Sequence, residues 1–165
     1  MPRGDPSRAA RRAGGEGRPA VPIVVAYTPK PEGWAALRTA AAEALRRSVE
    51  LVVVVAIRVP GGAGSESGGV DPATVSDEAL ARLLGEGAPS WSVRRFLDSL
   101  DPADDIINAA EEVAADEIVI GLRRRSPVGK LILGTNAQRI LLDAGCPVLA
   151  VKAAADDEPD ARGTH

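Results

Sequence analysis

The sequence predicts an α/β fold, a three-layer, Rossmann-like sandwich whose doubly wound, mostly parallel sheet of five strands carries helices on both faces. The runs at residues 21–27 and 51–57 are apolar without alternation, so both read as strands buried on two sides. Between them Trp34, Leu37, Ala41 and Leu45 recur at helical spacing, which places a crossover helix over residues 32–47 and completes a βαβ unit.

The remaining elements follow in order. After Val59 a Gly/Ser/Pro stretch over residues 60–72 reads as a loop, followed by a short helix at 76–84 and a strand at 91–97. Asp101-Pro102 supplies an N-cap and a proline for the first helical position, and Ile106, Ile107, Ala110, Val113 and Ala114 form the apolar stripe of the next helix. Residues 118–120 are the fourth strand. The last helix is expected to start at Thr135, with Gln138 three residues on completing a capping box, and to end at Gly145 ahead of Pro147. Residues 147–151 then close the sheet as an apolar edge strand.

Composition sets outer bounds. A chain of 165 residues, 45% hydrophobic and with net charge −3, suits one soluble domain, expected at residues 21–152. Residues 1–20 carry five arginines against two acids and no apolar core of a signal peptide, so they read as a disordered basic arm. Residues 153–165 carry four acids against one arginine and read as a disordered acidic tail. One cysteine, Cys146, and one histidine, His165 in the tail, leave no structural zinc cluster, no intramolecular disulfide and no hydrolytic triad. The composition fits a reducing cytoplasm, and aromatics at 2% give little for base stacking.

The chemistry concentrates between the fourth strand and the last helix. Gly121 follows the strand and Gly134-Thr135 opens the helix, two places where backbone N–H groups suit an anion such as phosphate. Gly121 serves either a sharp turn or close approach of a phosphate, and Thr135 serves as cap, as ligand contact, or as both. Arg123, Arg124, Arg125 and Lys130 make the intervening loop basic, which is either a solvated surface or a phosphate grip. Gly129-Lys130 is not a Walker motif, because Arg124 and Leu131 stand where Gly and Ser or Thr are needed; nor does a Gly-x-Gly-x-x-Gly follow the first strand.

In Gly121, Gly134-Thr135 and their spacing the chain resembles the universal stress protein family, whose signature is Gly, two residues, Gly, nine residues, then Gly-Ser or Gly-Thr. The resemblance covers most of residues 21–152 and is specific in the last third. It implies strand order 3-2-1-4-5 and an ATP or related adenine-nucleotide site. The site would comprise Ala26, Tyr27 and Thr28, Ala56, then Ile120, Gly121, Arg123 and Arg124, and Gly134, Thr135 and Asn136, with Mg2+ held only through the phosphates. Two departures bear on it. Arg124 replaces the middle glycine and either closes the site or grips the phosphates itself, and Thr28 stands where nucleotide-binding members commonly carry an acid. Asp116 matches the family pattern in a structural role. Cys146-Pro147 also looks like the family, whose members dimerise through the last strand; pairing there would cover the apolar edge.

The sequence is thus expected to be a cytoplasmic, non-enzymatic stress protein, nucleotide-binding and homodimeric. Alternatives are a stress-family dimer working by protein contacts alone, an adenylylating enzyme of the related adenine-nucleotide α-hydrolase-like group, and nucleic-acid binding through the arginine-rich arm. The short chain shows no insertion for a substrate pocket, and the acidic tail competes for the arm.

Overall fold

The computed structural model describes residues 20–57, 71–123 and 133–154. The basic arm and acidic tail, apart from their innermost residues, lie outside these, as do most of the loop after the second strand and Arg124, Arg125 and Lys130. In chain order the elements are β1 (Ile23–Ala26), α1 (Pro31–Arg47), β2 (Leu51–Ile57), a 3-10 turn (Pro72–Val75), α2 (Asp77–Leu84), β3 (Trp91–Leu97), α3 (Pro102–Glu112), β4 (Glu117–Leu122), α4 (Thr135–Asp143) and β5 (Val148–Lys152). The five strands form one sheet in the order β3-β2-β1-β4-β5. Every pairing is parallel.

Alternate side chains divide the core. Ile23, Val25, Tyr27, Val53 and Val55 meet Ala36, Leu37, Ala40 and Ala44 of α1 and Leu80 of α2. Val24, Val52, Val54, Ile118 and Ile120 meet Ile106, Ile107 and Ala110 of α3 and Ile140 of α4. Strand order reverses between β1 and β4, and right-handed crossovers then put α1 and α2 on one face and α3 and α4 on the other.

Helix α1 packs an inner face rich in Ala and Gly against the sheet. A Cβ on Gly33 would come within 1.9 Å of the Thr28 carbonyl oxygen, and one on Gly121 within 2.1 Å of the Glu32 carbonyl oxygen. Any side chain at either position would have to push backbone apart. At the opposite end of α1, Arg47 reaches Asp116 Oδ2 at 2.9 Å and Glu117 Oε2 at 2.8 Å, tying the helix to the start of β4.

Three expectations need correction. Strand β4 runs on to Leu122, so Gly121 is no turn residue but pairs in register with Val151 of β5. Its lack of a side chain serves the approach of α1. Strand β1 has four residues rather than the seven of its apolar run, since Tyr27 already begins the loop. Helix α3 stops at Glu112; Ala114 has φ 50 and is exposed, while Ala103 and Ala109 complete the buried stripe.

Substituting Gly33→Ala or Gly121→Ala is expected to lower unfolding free energy by about 3 kcal/mol or more, since backbone must move on both sides of the added methyl. Gly145→Ala, where a Cβ meets nothing described within 4 Å, is expected to stay within about 0.5 kcal/mol of wild type. Urea denaturation of the three variants checks the contrast, and equal midpoints would refute the packing argument.

Candidate functional site

The C-terminal ends of β1 and β4 meet where strand order reverses, the place at which open α/β sheets take ligands. Ala26, Ala56 and Ile120 share the sheet face that α3 and α4 cover; the two alanines are half-buried and Ile120 is buried. Small side chains there leave the end of the sheet shallow. Tyr27 points to the other face. Its ring sits in the α1 core, edge-on to Trp34 with centroids 6.0 Å apart, and its buried hydroxyl has no hydrogen-bond partner among the described residues. Burial pushes that hydroxyl's pKa up from 10.0 to about 12. Thr28 is exposed, and its carbonyl accepts from the Lys30 N–H at 2.8 Å while abutting Gly33.

At the far side of the site Gly134, Thr135 and Asn136 are exposed at the start of α4. The expected capping box does not form. Gly134, with φ −67 and ψ 159, is the N-cap, Thr135 is the first helical residue, and no side chain caps the helix. Gln138 gives its backbone N–H to the Gly134 carbonyl and its side-chain amide to the Leu133 carbonyl, each at 3.0 Å. No acid occupies the first turn, the first residues of α4 are exposed, and among the described residues no side chain caps its leading N–H groups. An anion suits such a place.

Arg123, just past β4, is exposed and gives its Nε–H to Glu32 Oε1 at 3.3 Å. Arg124, the residue on which the resemblance departs, lies outside the described residues. The sequence reading missed Arg139, which bonds to Asp101 and, at 2.5 Å, to Asp104 Oδ1, tying α4 to the start of α3. Asp101 caps α3 by accepting from the Asp104 N–H at 3.1 Å; the Arg139 guanidinium, and then that N–H, hold its carboxyl below the usual range. The signal was an Asp-x-x-Asp start on one helix and an Arg on the next. Such pairing becomes visible only when the helices are placed side by side.

These groups offer N–H donors, a hydroxyl and a tethered guanidinium. Among the described residues no set of three or more His, Cys, Asp or Glu is placed to hold a metal. A separate groove of about 150 Å³ lies near the N-terminal end of β4, lined by Ile107, Ala110, Glu111, Ala114, Ala115, Ile118, Gly145 and Cys146. None of the expected site residues borders it. Burial, then Asp116 and Glu117, push the Cys146 thiol up, away from the reactive thiolate.

Residues 21–152 match the model of the universal stress protein family. A universal stress protein of Mycolicibacterium smegmatis is 38% identical over 130 residues, which are 79% of this chain and 96% of the relative. The structure of a universal stress protein from Archaeoglobus fulgidus superposes with TM-score 0.62 at 37% identity, covering 80% of this chain and 98% of that one. A second Archaeoglobus fulgidus structure, a universal stress protein in complex with dAMP, gives TM-score 0.58 at 32% identity, with the same coverage of 80% and 98%.

The Tyr27 environment makes a prediction of definite sign. The fold favours the neutral phenol, so that stability is fully present below pH 10.0 and is lost as pH rises toward about 12. Tyr27→Phe removes an unbonded buried hydroxyl and should raise stability at pH 7 by about 1 kcal/mol. It should also flatten the alkaline decline in melting temperature. A variant less stable than wild type at pH 7 would show that the hydroxyl has a partner.

Proposed function

The chain belongs to the universal stress protein family, and on that premise we propose that it binds an adenine nucleotide where β1 and β4 part, as a stress regulator that works as a homodimer in the cytoplasm. The observation that carries the reading is the exposed start of α4, capped by no side chain or acid among the described residues, at the reversal point of the sheet. The likeness to the dAMP-bound Archaeoglobus fulgidus protein, at 32% identity over 98% of its length, supports it.

In this reading the leading N–H groups of α4 and the Thr135 hydroxyl receive phosphate oxygens, with Asn136 beside them. Ala26 and Ala56 leave room for the base and ribose, and the exposed Thr28 replaces a carboxylate with a neutral hydroxyl. Tyr27 contributes by shaping the first loop from beneath, since its ring is spent in the core. Ile120 and Gly121 hold the end of β4, Arg123 and Arg124 add positive charge, and Mg2+ enters only with ATP phosphates. The groups bind and orient; none is a matched acid–base pair, and the reading is of a binder. The outer edge of β5, whose described partner is β4 alone, carries Leu149 at 37% exposure, and a second copy pairing there would cover it.

Gly134 gives the cleanest test. A Cβ there meets nothing described within 4 Å and the backbone is ordinary extended, so Gly134→Val should fold with a stability loss of about 1 kcal/mol or less. Its branched side chain would stand over the α4 amides. Equilibrium binding of fluorescent ATP to the full chain, with and without magnesium, is expected to weaken at least about tenfold in the variant, equivalent to ~1.4 kcal/mol. Unchanged affinity would place the nucleotide elsewhere. Sedimentation of the same preparation should give a dimer, and a monomer at micromolar concentration would remove the assembly half of the proposal.

A further inference from the structure

We infer that Glu32 sets the phosphate selectivity of the site by competing with the ligand for Arg123; the inference rests on the nucleotide reading above. Glu32 lies in the first turn of α1, with its side chain 15% exposed, while Arg123 at the end of β4 is 46% exposed. The pair runs from Arg123 Nε to Glu32 Oε1 at 3.3 Å, so the forked end of the guanidinium takes no part in it. The only phosphate-gripping side chain among the described residues of the β4–α4 connection is therefore held by an acid from another element.

The acid cannot easily withdraw. Its carbonyl oxygen lies where a Cβ on Gly121 would come within 2.1 Å, and its own Cβ would be 3.0 Å from that atom, so β4 fixes the residue from behind. Yet Glu32 does not depend on Arg123 alone, because the N-terminal turn of α1 favours a negative charge. A one-pronged, partly exposed ion pair is weaker than a two-pronged guanidinium–phosphate grip. A phosphate arriving at the end of β4 can thus draw Arg123 over, but the Glu32 charge stays in place and opposes each further phosphate. The site would then penalise ligands in proportion to their charge. Adenosine would be indifferent to Glu32, AMP mildly sensitive and ATP most sensitive.

The experiment measures adenosine, AMP and ATP binding by calorimetry on full-length wild type, Glu32→Gln, Arg123→Gln and the double variant, with melting curves to confirm folding. Glu32→Gln is expected to leave adenosine unchanged, tighten AMP about threefold and tighten ATP about tenfold. Arg123→Gln should weaken ATP more than AMP, and in the Arg123→Gln background the Glu32→Gln gain should be smaller, the remainder being the direct repulsion of the phosphates by Glu32. Should Glu32→Gln prove unstable, Glu32→Ala read against the same three ligands serves as its replacement. If wild type binds the nucleotides and the adenosine-to-ATP ratio is the same in Glu32→Gln, the role of Glu32 is overturned while the nucleotide reading stands. If wild type binds none of the three, the nucleotide reading fails and the Glu32 role falls with it.

Discussion

The first turn of α1 is pressed onto the sheet by two contacts that admit no side chain: the Thr28 carbonyl over Gly33 and the Glu32 carbonyl over Gly121. These contacts join the loop after β1, the start of α1 and the end of β4 into one block. Because close-packed backbone has almost no freedom to yield, the block sets where Thr28 and Arg123 stand relative to each other. The carboxylate of Glu32 comes with it, held beside the guanidinium it pairs with.

Topology does the rest. Reversal of strand order at β1 and β4 parts the connections that leave those strands, and on β1 and β2 the face covered by α3 and α4 ends in the alanines Ala26 and Ala56. Helix α4 points its uncapped start at the same edge. Ile140 is the buried anchor of that helix, Ala137 packs beside the same cluster, and partly exposed ion pairs from Arg139 link the helix to Asp101 and Asp104 at the start of α3. Arg47 makes the corresponding tie at the other end of the sheet, to Asp116 and Glu117, which agrees with the structural role expected of Asp116. The result is a rigid platform with one anion-friendly edge.

The layer architecture was legible because its signals are local: unbroken β-branched runs for buried strands, a 3.6-residue alanine and leucine rhythm for α1, and Asp101-Pro102 for the start of α3. Strand β2 falls where its apolar run places it, and strand β3 at the residues expected of it. The site was legible only in outline. A glycine after an apolar run suits either a turn or close approach of a phosphate, but what Gly121 accommodates in the fold is α1, which lies 89 residues earlier at Glu32. The Thr135–Gln138 spacing matched a capping box, but Gly134 can itself take the N-cap geometry, and one residue of shift turns the threonine into the first helical position. Gly33 and the Glu32–Arg123 pair left no readable trace, and the Asp101, Asp104 and Arg139 spacing became readable only with the helices side by side, since each depends on elements brought together by the fold.

The most direct test of the nucleotide site is a backbone amide NMR titration of the isotope-labelled protein with ATP. The account requires saturable shifts at Gly134, Thr135 and Asn136, with accompanying changes at Thr28 and Arg123. Shifts confined to the groove beside Ala114 and Cys146, or none at millimolar ATP, would contradict it.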